Sequence, residues 1–222
     1  MGRKGFTLME VMVAIVVFSI IMLVVFSSFH AFISSADSIK SSINEYERVR
    51  VALERMCEDM KLIHMVQPPR YMIPEFDAPP DPFGMAGSQT SVGGSLFSRV
   101  AFASLARVIL DSKAVRHIST IIYYVRQNQD NSFDLCRSDQ LPGIAEQVNP
   151  CRDPILLKNI QVFQINYVDA QGNTKNNWDS DSSDVDYAMP VRLDIRLKLA
   201  GNDTAGVFET AVFLPVNRGP LE

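Results

Sequence analysis

The chain has 222 residues, 47% of them hydrophobic and 21% charged, which suits one core of ordinary size with an appended segment and argues against a multidomain machine. Its 21 Lys and Arg stand against 25 Asp and Glu for a formal charge of −4, without a basic run, so capture of nucleic acid has no electrostatic footprint. Three cysteines with no C-x-x-C pair, and three histidines scattered at His30, His64 and His117, exclude the familiar zinc-ligand spacings.

From Phe6 to Phe26 the chain reads FTLMEVMVAIVVFSIIMLVVF, with one charge, Glu10, and two hydroxyls, Thr7 and Ser19. As a helix this stretch rises roughly 31 Å, about the hydrocarbon thickness of a bilayer. A secretory signal peptide is one reading, with Arg3 and Lys4 as its basic region and Ser34-Ser35-Ala36 as its cleavage site. Against it, the apolar run is about twice the length of a signal core, and a carboxylate stands near its start. A plain single-span anchor accounts for the length, and for an orientation with Arg3 and Lys4 on the cytoplasmic side, but leaves Glu10 unexplained. A carboxylate at the edge of the apolar zone costs about 3 kcal/mol unless a cation at similar depth pairs with it.

Gly5-Phe6-Thr7-Leu8-Met9-Glu10, behind a short Arg-Lys leader, resembles the class III signal of type IV prepilins and type II secretion pseudopilins. The resemblance implies that a prepilin peptidase cuts the Gly5–Phe6 bond and methylates the new amino terminus on Phe6. It also supplies the missing cation. Cleavage exposes an ammonium on Phe6, and the Glu10 of a neighbouring subunit neutralises it when the helices bundle, forming an assembly salt bridge.

No proline or glycine interrupts residues 6–67, and Pro68-Pro69 end any helix at about the residue before. The expectation is one rod, its transmembrane half at 6–33 and its amphipathic half at 34–67. Ile39, Tyr46, Leu53 and Met60 recur at seven-residue spacing, and Ile43, Val49, Met56 and Ile63 fill the other half of an apolar stripe. Such a stripe serves either a coiled coil between chains or a rod laid on its own globular domain. The strand-rich sequence downstream needs a cover, which favours the second. Cys57 and His64 beside the stripe read as packing residues.

Residues 68–98 form a Pro/Gly-rich connection: six of the twelve prolines lie within 68–82, and four glycines follow between Gly84 and Ser95. Residues 99–222 read as an antiparallel β domain. Val191 to Leu199 alternates apolar and charged residues without a fault, and a turn at residues 201–206 leads to a second strand from Val207 to Val216, so that the two form a hairpin. Arg99 to Ala106, His117 to Arg126, Ser132 to Cys136 and Leu157 to Val168 are further candidates, for five to seven strands in all. The expected fold is α+β and pilin-like: a long N-terminal helix, transmembrane in its first half, packed on an antiparallel sheet.

The order of the apolar strand at 156–168, Asp169, Trp178, Met189-Pro190, the alternating strand and Leu214-Pro215 is similar to the carboxy-terminal half of J-type minor pseudopilins. That resemblance implies a structural subunit, not an enzyme, at the tip of the type II secretion pseudopilus. There it helps initiate assembly and protein export across the outer membrane. Its partners are I-type and K-type minor pseudopilins, the major pseudopilin, the processing peptidase and inner-membrane lipid, with no nucleic acid. The resemblance further implies that the protein spans the inner membrane once, with its C-terminal domain in the periplasm. A PilW-like minor pilin of a type IV pilus has similar organisation. A membrane-tethered periplasmic enzyme is the distant alternative, for which no G-x-S-x-G, P-loop or H-E-x-x-H motif exists.

In an oxidising compartment Cys136 and Cys151 are expected to pair, closing a loop that contains Pro142, Gly143 and Pro150, for about 3 kcal/mol, with Cys57 left as a buried thiol. Asp179, Asp181, Asp184 and Asp186, with Asp169 nearby, offer the clustered oxygens calcium takes. The spacing lacks the EF-hand glycine and terminal glutamate, so a solvated acidic loop is preferred and no cofactor is expected.

Overall fold

The computed structural model describes residues 7–75, 81–106, 118–142, 148–201, 206–216 and 218–221, apart from the side chains at 37, 38, 41 and 42. The expected leader 1–5, Phe6 and residues 202–205 of the expected turn lie outside the described residues. The chain divides into two compact units, Met1–Glu47 and Arg48–Glu222.

One helix, α1, runs from Leu8 to Lys61. In the first unit its described side chains are exposed almost throughout, and Leu8–Ala36 is long and apolar enough to cross a membrane. Its hydroxyls are satisfied within the helix: Ser19 Oγ donates to Ile15 O at 2.8 Å and Ser28 Oγ to Val24 O at 2.9 Å. Such back-bonding removes the cost of carrying a hydroxyl through hydrocarbon.

In the second unit the apolar stripe is buried. Val49, Ala52, Met56 and Met60 are at most 1% exposed, and Leu53 is half-buried against the same cluster. Each large side chain so buried contributes about 2 kcal/mol relative to exposure. The stripe was expected to be covered from Ile39 onward, but Ile39, Ile43 and Tyr46 are exposed and burial begins at Val49. The helix also stops at Lys61, short of Gln67. The reason is tertiary: Ile63 bridges Ser104, His64 N donates to Ala103 O at 2.9 Å, and Leu105 N donates to Leu62 O at 2.9 Å. Those backbone groups pair with a sheet instead of adding a helical turn.

The described strands are β1 (Met85–Val92), β2 (Ser95–Ser104), β3 (Ser119–Gln127), β4 (Phe133–Gln140), β5 (Ile155–Leu157), β6 (Ile160–Val168), β7 (Thr174–Lys175), β8 (Trp178–Asp179), β9 (Arg192–Leu199) and β10 (Phe208–Phe213). They form two antiparallel sheets, one in the order β5-β4-β3-β2-β1-β8 and one in the order β10-β9-β6-β7. The expected antiparallel β domain packed on the helix is present, but its described residues hold ten strands in two sheets where five to seven strands were expected, and the stretch read as a loop to residue 98 is strand from Met85 on. In β9, Leu193, Ile195, Leu197 and Leu199 are buried while Arg192, Asp194, Arg196 and Lys198 are not, and β10 pairs with it as the expected hairpin.

A single apolar cluster joins the helix to inward residues of both sheets, among them Phe97, Phe102, Ile121, Phe163, Ile165 and Leu193. The sheets also share a polar tie, Ile165 N donating to Ser98 Oγ at 2.9 Å. They approach closely where Gly87 on β1 faces Tyr167 on β6: a Cβ at Gly87 would lie 1.9 Å from the Tyr167 hydroxyl oxygen. Only glycine fits there.

Candidate functional site

The polar head of the apolar helix is built by local chemistry. Thr7 stands just before the first helical residue with Glu10 three places on, the spacing of a capping box. Thr7 N and Thr7 Oγ1 both donate to Glu10 Oε2 at 3.0 Å, and Glu10 N donates to Thr7 Oγ1 at 3.3 Å. These bonds orient the carboxylate toward the start of the helix, where the macrodipole favours negative charge. Their donors are neutral, so they position the charge without cancelling it. Gly5 and Phe6, the expected cleavage and methylation residues, lie outside the described residues.

The acidic run does not assemble into a metal site. Asp179 Oδ1 accepts from Asp181 N at 3.0 Å, Asp184 N donates to Ser182 Oγ at 3.1 Å, and Asp186 closes a short 3-10 turn at φ 51°. Asp181 turns away from the others, accepting from Tyr71 Oη at 3.0 Å and Asp81 N at 2.8 Å. Among the described residues no three His, Cys, Asp or Glu side chains gather around one point, Asp179, Asp181, Asp184 and Asp186 included.

The expected Cys136–Cys151 bridge is corrected, because all three cysteines are free. Cys136 is buried with Ala101, Ile122 and Tyr124, where burial pushes its thiol up to about 11, while Cys151 is exposed. The loop is closed by a carboxylate instead of a disulfide. Asp153 accepts from Tyr124 Oη at 3.0 Å, Ser138 Oγ at 3.1 Å and Asn149 N at 3.0 Å. Cys57 is half-buried, its thiol raised chiefly by burial, and His64 packs edge-on against Phe83 at 5.3 Å between ring centroids.

Two buried ionic clusters were missed in the sequence. Asp59 on α1 accepts from Tyr123 Oη and Arg137 Nε, each at 2.6 Å, and pairs with Arg55 at 2.9 Å. Its signal was a carboxylate three residues after Met56 and four before Ile63, on the apolar face. The second cluster centres on Arg218, in a segment with no readable pattern; its charge partners, Asp81 and Asp181, are remote in sequence.

The comparisons with known proteins fall on the helix head. Residues 1–26 match the prokaryotic N-terminal methylation motif. This motif contains Thr7, Glu10 and the whole apolar stretch from Phe6 to Phe26, so the capped carboxylate lies inside a segment associated with amino-terminal methylation. No curated protein matches the chain. Among solved structures, a type IV-like pilin from Thermus thermophilus is similar at 12% identity and a TM-score of 0.45, over 77% of this chain and 96% of that one.

Proposed function

We propose that the chain is a minor pseudopilin, a structural subunit at the tip of the type II secretion pseudopilus that helps initiate assembly and export across the outer membrane. The observation that carries this reading is the placement of Glu10: a capped carboxylate at the head of a membrane-length helix, inside the methylation motif. Prepilin peptidase cuts Gly5–Phe6 and methylates Phe6, and the chain waits in the inner membrane with its β domain in the periplasm. On assembly the apolar helix exchanges lipid for the helices of the major, I-type and K-type pseudopilins. Glu10 then pairs with a neighbour's Phe6 ammonium and sets the register. The role is structural and asks for no catalytic residue.

Co-purification of the full chain in detergent with coexpressed I-type and K-type pseudopilins tests the reading. A complex formed by the native chain and weakened by Glu10→Ala, with membrane insertion unchanged, supports it. Exclusive association with type IV pilus subunits, or no association at all, contradicts it.

A further inference from the structure

Arg218 is nearly sealed from solvent, its side chain 1% exposed, and each part of the guanidinium has its own partner. Nε donates to Tyr187 O at 2.7 Å, Nη2 to Ser180 O at 2.6 Å and Nη1 to Val66 O at 3.5 Å. Asp81 Oδ2 lies 3.7 Å from Nη1 and Asp181 Oδ1 lies 3.6 Å from Nη2, while the ring of Tyr71 stacks 3.4 Å from Cζ. The donors form a planar fork and the ring covers one face, the geometry a guanidinium fills and an ammonium does not.

Much of the cradle holds itself together without the arginine. Tyr71 Oη donates to Asp181 Oδ1 at 3.0 Å, Asp81 N donates to Asp181 Oδ2 at 2.8 Å, and Met85 N donates to Ser180 Oγ at 2.9 Å. Two carboxylates face one cation, so an empty cradle presents two uncompensated charges in a partly buried place. The tail that brings Arg218 is docked by its backbone as well: Met189 N donates to Arg218 O and Leu221 N to Asp186 O, each at 2.9 Å.

We propose that the Asp81–Asp181–Tyr71 cradle is a binding site for a guanidinium group, filled by the chain's own tail acting as a tethered ligand. The tether gives Arg218 a local concentration on the order of millimolar or above, which closes the site to arginine side chains from outside while the tail is docked. Withdrawing Arg218 opens it.

The test is Arg218→Ala in the full chain in detergent, with the thermal unfolding midpoint read against added methylguanidinium and, separately, methylammonium. The substitution lowers the midpoint by several degrees. Methylguanidinium at about 10 mM, far below denaturing concentrations, restores at least half of that loss, while methylammonium restores none and neither cation moves the native chain. Arg218→Lys stays close to the alanine variant, since a point charge lacks the fork. Equal effects of the two cations, or no recovery, overturn the proposal. If Arg218→Ala does not fold, Arg218→Met, which keeps the stem and the tail's backbone bonds, is scored in the same way. Failure of both variants to fold with methylguanidinium present also overturns it.

Discussion

Asp59 on α1 and Arg137 on β4 meet at 2.6 Å, the aspartate side chain fully buried and the arginine 6% exposed. The same carboxylate oxygen accepts from Tyr123, whose hydroxyl pKa is raised by burial and then by the charge and hydrogen bond of Asp59. This is the polar lock between the last turns of the helix and the six-stranded sheet. Removing one partner leaves the other charge buried and uncompensated, which costs far more than the pair's net worth.

Asp59→Ala is therefore expected to destabilise the protein by about 3–5 kcal/mol. Denaturant unfolding of the full chain in detergent, followed through the buried Trp178, measures it. A loss below about 1 kcal/mol, the level of an exposed pair, contradicts the assignment.

Thr7→Val keeps the shape of the residue and removes the hydroxyl that both donates to and accepts from Glu10. Losing a cap of this kind costs about 1 kcal/mol. Amide exchange at Glu10 and Val11 in micelles should accelerate by about fivefold, and exchange in the second unit should not change. Equal protection in the two proteins contradicts the capping box.

Gly87→Ala drives a Cβ into the Tyr167 ring, because the hydroxyl oxygen and the ring carbon bearing it would lie 1.9 Å and 2.2 Å away. Overpacking of this severity destabilises by about 3 kcal/mol or more. Tyr167→Phe, by contrast, removes a buried hydroxyl with no hydrogen-bond partner among the described residues, so it is neutral or stabilising. Because ring atoms also crowd Gly87, the double variant regains only part of the loss. Thermal unfolding of the three variants checks the order.

The cysteines give a chemical prediction. Unreduced protein has the mass of the free-thiol chain; Cys151 is alkylated first, Cys57 more slowly, and Cys136 only on unfolding. Because burial raises the Cys136 pKa from the ordinary 9.0 to about 11, the folded state holds that proton more tightly. The contribution is fully present below pH 9.0 and is lost as pH rises through about 11. A mass lower by two hydrogens that returns on reduction, or fast labelling of Cys136, contradicts this account.

What the sequence made legible follows from where each pattern originates. The β9 strand was readable because one face is wet, so Leu193 to Leu199 alternate with charges. The β1 strand was not, since one glycine and a run of small polar residues give it no period and it is held by pairing with β2 and β8. The helix end at Lys61 depends on a bridge from Ile63 to Ser104, a contact that local propensity does not encode. Of the candidate site, Glu10 stood out as the one charge in the apolar run, whereas its cap by Thr7, three residues away, was missed. The inward turn of Asp181 was not readable, because it is set by Tyr71 and the backbone of Asp81, both from distant parts of the chain. The spacing of Cys136 and Cys151 suggested a bridge, but Asp153 already closes that loop.

In the proposed function, Glu10 is kept for an ammonium that processing creates on Phe6. The most direct measurement is the amino-terminal sequence and mass of the mature chain, isolated from cells that carry prepilin peptidase. Phenylalanine is expected first, Phe6, bearing one methyl group, with no such product from a chain altered at Gly5. A mature chain that begins at Met1, or beyond Ala36 after signal-peptidase cleavage, would contradict it.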